Sequence, residues 1–489
     1  MRPANWFLAM AVCLLAAALP CAAGTLPAID KLLPAETVFV VATNSFAELN
    51  QKFEKTDIYR LYKDPAMAPF IENSRERLLK SLEKNRAFQR FAAADYPLPQ
   101  GKVAFALVLP QPSADGSQKD TVMLVICQWG SELPKFRDLF EKQIKDMEDK
   151  GGSRRQEEYR GTQVVSVFEA AGNDAEQPEP VFSYAFIDDV FVVSDRKEDV
   201  MFVVARAAGA SGRTLGEDAD YQAAITRIRG GDVTLYLNVK RLVETLMQQQ
   251  IDSRTMVRAM GIDRVAGIAL GLELAPDSAA SLTVRGYIRT AGEKQGILRM
   301  LDMAPVAIRV PDFVAGDSCS FAIININAAS VYDEIFRIAN SIDPRAAAAI
   351  SSPMTAPSPD GRPGVELKRD ILAYLRPGLW SADTPRKVAG SDQPEILSIG
   401  AIAVSDRSKL ESSLARLHEQ YFGNDKELRR DFFGHVIYSL SFGAEWEGDE
   451  TPGANAHTGE QVEQQQAPAF TVTDSYLLFG DVRLIEDAI

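Results

Sequence analysis

The sequence holds 3 histidines and 4 cysteines in 489 residues. Histidine is the side chain that changes charge nearest neutral pH, and it is the commonest metal ligand. His418, His435 and His457 show no metal-ligand spacing, so a histidine-built catalytic or metal centre has little to stand on. His418 reads as lying on the polar side of a helix, His435 as leading a strand, and His457 as part of an acidic loop. Surface or strand-edge roles account for all three. The cysteines thin out further, because Cys13 and Cys21 lie in an N-terminal leader. Processing would leave Cys127 and Cys319, each in a strand-like apolar stretch. Two thiols cannot staple a small scaffold or form a thiolate zinc site. An oxidising compartment allows a disulfide between them, and two buried unpaired thiols are the simpler expectation.

Other signals are missing as well. There is no GxxxxGK phosphate loop and no GxSxG nucleophile elbow. GASG at Gly209 and GDSCS at Gly316 are near misses without a strand–turn–helix setting. The glycines of GIALGLEL from Gly267 sit inside a strand pattern, where they mark a bulge or close packing. Basic residues are in deficit, 53 against 67 acidic, for a net charge of -14. A nucleic-acid backbone would repel such a chain, and nucleic-acid binding is not expected. Beyond the leader no apolar run approaches the ~20 residues of a membrane-spanning helix.

The residues of a type that carries chemistry have ordinary explanations. Asp188, Asp189 and Asp195 could face a calcium ion, but Asp188–Asp189 suits a hairpin turn and Asp195 the cap of the next helix. A calcium site needs more oxygen ligands than this stretch offers. Ser166 and Ser439 occupy matching places in two similar stretches. A nucleophilic serine needs a base beside it, and the sequence locates none. The expectation is therefore no catalytic, cofactor-binding or metal residue, and no cofactor.

Among the features present, the N-terminus is the most specific. MRPANWFLAMAVCLLAAALPCAAG has Arg2, an apolar core from Trp6 to Leu19, and small residues at Cys21, Ala22 and Ala23. That is the layout of a secretory signal peptide over 1–23, with cleavage after Ala23. Acylation of Cys21 is the rival, opposed by Pro20, and an uncleaved anchor would be short for a span. The chain reads as an exported soluble protein.

The chain also repeats itself. EYRGTQVVSVF at Glu158–Phe168 matches DFFGHVIYSLSF at Asp431–Phe442, with Gly161 over Gly434 and Ser166 over Ser439. The two glycines read as admitting a tight start to a strand. Upstream of each stretch lies an amphipathic helix at the same offset. The first begins at Ser131 with Leu133, Phe136, Phe140, Ile144 and Met147 on one face; the second begins at Ser405 with Leu410, Leu414, Leu417 and Tyr421. Ser131 and Ser405 read as caps, with Glu132 and Asp406 in the first turn. An apolar strand precedes each helix, from Thr121 and from Glu395. A hairpin follows each matched stretch, turning at Asp188–Asp189 and at Asp474–Ser475. An insertion, GAEWEGDETPGANAHTGEQVEQQQAP, separates the strands of the second copy and has the composition of a surface loop. Its acidic part, Glu445–Glu463, is a candidate interaction segment, with a solvated linker as the plainer reading.

More loosely, the strand-then-helix plan from Leu32 returns from Phe313. Four elements in one order at near-constant spacing predict a duplicated unit. The expected fold is α+β: two related units of mainly antiparallel sheet with packed helices, over 24–303 and 304–489. The second unit stops in the element matching KEDVMFVVARA, so it reads as incomplete at the C-terminus, either truncated or naturally short. Along SLTVRGYIR, Leu282, Val284 and Ile288 alternate with Thr283, Arg285 and Arg289, as in a sheet with one wet face and helices on the other. Ser351–Gly364 reads as a flexible connector or loop.

Several of these stretches resemble a known group. LPAETVFVVATNSFAELNQKF, YRLYKDPAMAPFIENSRERL, YRGTQVV, IDDVFVVSD and TLYLNVKRLVE are similar to large exported bacterial proteins classed only as a domain of unknown function. The resemblance covers most of Leu32 to about Met303 and, more loosely, the second unit. It implies export and the two-unit plan, and brings no active-site residue, cofactor or substrate. The expected function is a non-enzymatic envelope or periplasmic protein that binds a partner or ligand or serves structurally. The alternatives are an exported hydrolase with a dispersed site and a carrier of an apolar ligand. A catalytic cleft, an enclosed apolar cavity or an extended exposed face would separate the three.

Overall fold

The structure, a computed structural model, describes residues 26–82, 96–110, 121–169, 180–249, 253–278, 281–305, 308–357, 361–387, 394–423, 425, 428–440 and 468–489. The leader at 1–23, His457 and the acidic loop lie outside the described residues. Among the described residues no helix is long and apolar enough to cross a membrane.

The fold is α+β, with two antiparallel sheets in two compact units. One unit runs to Gln249 and includes Asp263–Glu293; the other takes Gln250–Ile262 and Lys294–Ile489. The boundary thus differs from 303/304. The Ser253–Ala259 helix packs on the Ala328–Ile342 helix, and the Met260 carbonyl accepts from the Ile297 amide at 3.0 Å.

The first sheet comprises β1 (Thr37–Thr43), β2 (Val103–Val108), β3 (Val122–Gln128), β4 (Ser153–Tyr159), β5 (Thr162–Phe168), β6 (Phe182–Ile187), β7 (Val190–Ser194), β8 (Val233–Leu237), β9 (Val265–Leu274) and β10 (Leu282–Thr290). Across the sheet they run β10-β9-β8-β1-β2-β3-β7-β6-β5-β4. The second comprises β11 (Ser320–Ile324), β12 (Leu375–Arg386), β13 (Glu395–Val404), β14 (Arg429–Phe432), β15 (His435–Ser439), β16 (Ala469–Val472) and β17 (Tyr476–Gly480). Their order, β11-β12-β13-β17-β16-β15-β14, repeats that of β1 to β7.

The register repeats as well as the order. Val40 faces Ala106 and Phe321 faces Ala382. Ile126 faces Val192 and Ala401 faces Leu478. Val165 faces Tyr184 and Tyr438 faces Phe470. Tie points outside the ladders recur too: the Trp129 amide donates to the Asp189 carbonyl, and the Val404 amide to the Ser475 carbonyl, both at 2.8 Å. A slip of one residue would turn every side chain to the other face, so shared register means shared inner and outer faces.

Helices cover both faces of the first sheet. Phe136, Phe140 and Ile144 of the Leu133–Glu148 helix pack on Val165, Val167, Phe182, Tyr184 and Phe191. Phe140 meets Tyr184 edge-on at 4.9 Å. On the opposite face Val200, Val203 and Val204 of the Lys197–Ala207 helix meet Val164, Ala185 and Val192. Each fully buried side chain of this size contributes about 1.5–3 kcal/mol from apolar burial, enough to fix which helix face turns inward.

Several local expectations need correction. The stretch around Gly161 is a hairpin, with Arg160–Gly161 turning β4 into β5; Phe433–Gly434 does the same between β14 and β15. Ser131 caps nothing, its hydroxyl turning to Gln100 at 3.3 Å. In the second unit Asp406, not Ser405, caps the Arg407–Phe422 helix, accepting from the Lys409 amide at 3.1 Å. Asp195 likewise caps no helix; its carboxylate accepts from the Met123 amide at 3.0 Å. His418 is buried at 3% exposure, whereas Tyr421 is 63% exposed. The inner face of that helix is Leu410, Leu414 and His418, one step round from the predicted one. On β10 the apolar residues Leu282, Val284 and Ile288 are the exposed set, because the Ala219–Ile228 helix packs on this part of the sheet and Arg289 pairs with Asp220. The segment after Ser351 is tied down: the Thr355 hydroxyl accepts from the Val365 amide at 2.8 Å, and Val365 is buried.

Candidate functional site

The residues singled out for chemistry are taken up by the fold. Ser166 is buried in β5, where its hydroxyl shares a 2.8 Å hydrogen bond with Ser183 across the ladder. Ser439 comes close to an imidazole, but His418 Nε2 donates to its backbone carbonyl at 3.1 Å. His418 Nδ1 is buried without a hydrogen-bond partner. His435 Nδ1 lies 3.2 Å from Arg407 Nη2. Asp188 takes a positive φ of 51° in the β6–β7 turn. Asp189 accepts from Gln128 Nε2 at 3.1 Å. Among the described residues no group of three or more His, Cys, Asp or Glu could hold a metal ion.

The cysteines are both free, and they differ. Burial pushes the Cys127 thiol up to about 12, so it stays protonated and unreactive at neutral pH. Cys319 is exposed, not buried as expected, with Sγ donating to the Asp383 carbonyl at 3.4 Å. The β9 glycines are close-packing positions: a Cβ at Gly267 would stand 2.8 Å from the Tyr236 hydroxyl.

Two concavities stand out among the described residues. One, about 180 Å³, lies in the first unit beside Arg213, Glu217, Asp218, Asp220, Asn238 and Arg241. Its polar groups hold the fold together. Asp218 caps the Ala219–Ile228 helix through the Tyr221 amide at 2.8 Å. Asn238 accepts from the Arg241 amide at 3.0 Å, and Arg241 reaches the Leu109 carbonyl at 3.1 Å.

The other is an open groove of about 680 Å³ in the second unit, within the range of ligand-binding clefts. Phe313, Ile323, Trp380, Tyr476 and Leu478 give it an apolar, aromatic wall. The rings brace one another, Tyr476 standing edge-on to Trp380 at 5.6 Å and to Phe313 at 5.3 Å. At the rim Arg407 clamps Asp474, Nη1 to Oδ1 at 2.7 Å. This guanidinium holds the Asp474 carboxyl below the usual carboxylate range, so Asp474 stays ionised and is no proton donor.

Register relates the groove to the first unit. Ile323 faces Trp380 as Ala42 faces Ala104 in the first unit. Tyr476 and Leu478 hold the places of Val190 and Val192. In the first unit those places are sealed: Ala104, Val190 and Val192 are at most 2% exposed. They share a core with Leu215, Ala224, Ile228 and Tyr236, which arrive from the segment before β8 and from β8 itself. In the second unit tryptophan stands for alanine at Trp380 and tyrosine for valine at Tyr476, while Leu478 is buried like Val192, at 1% exposure.

Sequence reasoning missed Trp380 and Tyr476 as site residues, since each reads as one more apolar strand position. Their pairing with Ala104 and Val190 was the available signal. Compared with protein-family models, with curated proteins and with solved structures, the chain matches none.

Proposed function

We propose that the chain is an exported, non-enzymatic protein of the bacterial cell envelope whose second unit binds an apolar partner, and that its two units arose by internal doubling. It would then stand with the exported proteins of unknown-function domain type that its sequence resembles. The groove walled by Phe313, Trp380 and Tyr476 carries the binding reading. The apolar wall favours association, and at the rim Asp474 is held in an ion pair by Arg407. Export rests on the leader at 1–23, and doubling on the register common to β1–β7 and β11–β17.

The test is titration of the full chain with ANS, a dye that brightens in apolar sites. One saturable site is expected, weakened at least tenfold in Ile323→Lys with the fold intact by circular dichroism. Dye binding indifferent to Ile323→Lys would refute the groove. For export, the chain produced in a bacterium with its own leader should have the mass of a protein beginning at Gly24; an unprocessed chain recovered from the cytoplasm would refute it.

A further inference from the structure

Beyond the bonds that Asp218, Asn238 and Arg241 make for the fold, the first-unit cavity gathers groups with nothing yet to hold. Two helix N-termini meet at its wall. Asp218 caps the Ala219–Ile228 helix, Asn238 stands at the cap of the Val239–Gln249 helix, and both line the cavity. Each cap takes up one amide, that of Tyr221 or of Arg241, and the other first-turn amides have no partner within their helices. Such helix ends carry partial positive charge and hold carboxylates or phosphates. Arg213 and Lys240 add full positive charges to the same wall, and Glu217 and Glu244 add negative ones. None of these four side chains makes an ion pair among the described residues. Thr214 points to a ligand independently. It lines the cavity at 1% exposure, and its hydroxyl is buried without a hydrogen-bond partner, whereas buried polar groups are bonded almost everywhere in folded proteins.

We infer that this cavity binds a small zwitterion, a free amino acid of about alanine's size. Both signs of charge on the wall call for a ligand that carries both. The carboxylate belongs at the two helix N-termini with Arg213 and Lys240, and the ammonium at Glu217 and Glu244. The Thr214 hydroxyl, able to donate or accept, supplies a neutral hydrogen bond between them. The acidic residues suit an organic ammonium and not a metal, since among the described residues no group of three or more His, Cys, Asp or Glu could hold a metal ion. Size sets the class. A cavity of about 150 Å³ holds one benzene ring, so 180 Å³ suits a molecule of about six to eight heavy atoms. The inference does not depend on the groove of the second unit.

The test is calorimetric titration of the full chain with L-alanine, beside ethylamine, which lacks the carboxylate, and propionate, which lacks the ammonium. One saturable site for alanine is expected, with each fragment weaker by about tenfold or more. L-Tryptophan, too large for the cavity, should be weaker by the same margin. Two variants of the chain locate the site. Arg213→Gln combined with Lys240→Gln changes only exposed side chains, so the fold persists while alanine binding drops about tenfold or more. Thr214→Val should weaken alanine by a similar factor and yet unfold at or above the parent's temperature, because the hydroxyl it removes has no partner in the fold. That combination separates a lost ligand bond from lost structure. Failure of alanine to bind saturably, a fragment or tryptophan binding as tightly as alanine, or alanine affinity unchanged in either variant overturns the proposal.

Discussion

Gly161 and Gly434 occupy the same place in matching two-residue turns, with φ of 79° and 80°, each preceded by a residue that also has positive φ, Arg160 at 52° and Phe433 at 46°. Two consecutive left-handed residues define the hairpin turn whose twist suits the flanking strands. A Cβ at either glycine would meet nothing within 4 Å, so the only penalty for alanine is conformational. Gly161→Ala and Gly434→Ala should each cost about 1–2 kcal/mol, and by similar amounts. Urea unfolding of the two variants measures this; a cost at one site alone would show that the turns are not alike.

Ile144 and His418 also share a place, each buried on the inner face of its helix two turns after a matched apolar residue. The imidazole keeps Nδ1 unpartnered, and an unpaired buried polar atom costs about 1–3 kcal/mol. His418→Ile should therefore stay within about 1 kcal/mol of the parent, the lost bond to the Ser439 carbonyl offset by removal of that atom. The reverse change, Ile144→His, should destabilise by about 2–4 kcal/mol through the same burial. Thermal unfolding of both variants checks the asymmetry.

Asp481 gives the second unit an acid-sensitive joint. It caps the Val482–Ala488 helix, accepting from the Arg483 amide at 2.9 Å, and also pairs with the Arg483 guanidinium. Partial burial pushes its carboxyl up, but the Arg483 side chain and amide outweigh this and hold it below the usual range. A lowered folded value means that the stabilisation is present above the unfolded value of about 4 and is lost as pH falls through the folded one. Asp481→Ala should lose about 1 kcal/mol at pH 7 and be no less stable than the parent at the acid end. Unfolding followed from pH 7 down to about 2 tests the sign.

Glu334 is 4% exposed in the Ala328–Ile342 helix and accepts from the Gly296 amide at 2.9 Å while pairing with Arg337. Glu334→Leu leaves that amide without its acceptor and should cost about 2–3 kcal/mol. Glu334→Gln keeps an acceptor and should lose about half as much. Equal losses in chemical denaturation would contradict the assigned role.

Much of the fold was legible because it was written twice. The offset that places Phe136 over Leu410 and Gly161 over Gly434 survives as shared strand order and register. The local misreadings have physical causes. Arg160 and Phe433 give no sign in sequence of adopting positive φ, so a turn passed for the start of a strand. His418 was placed outside by its polarity, though the helical period from Leu410 and Leu414 brings it inward. The exposed apolar row on β10 depends on which face the Ala219–Ile228 helix covers, a non-local matter. The groove was illegible for the same reason. Its wall comes from the segment at Phe313 and from β11, β12 and β17, stretches far apart in sequence that no local pattern brings together.

Backbone hydrogen exchange on the free chain compares the closed edge with the open one directly. The account predicts that amides of Phe321–Ile324 exchange at least a hundredfold faster than those of Phe39–Ala42, since β1 has a partner on each side and β11, among the described residues, on one. Equal protection of the two strands would contradict it.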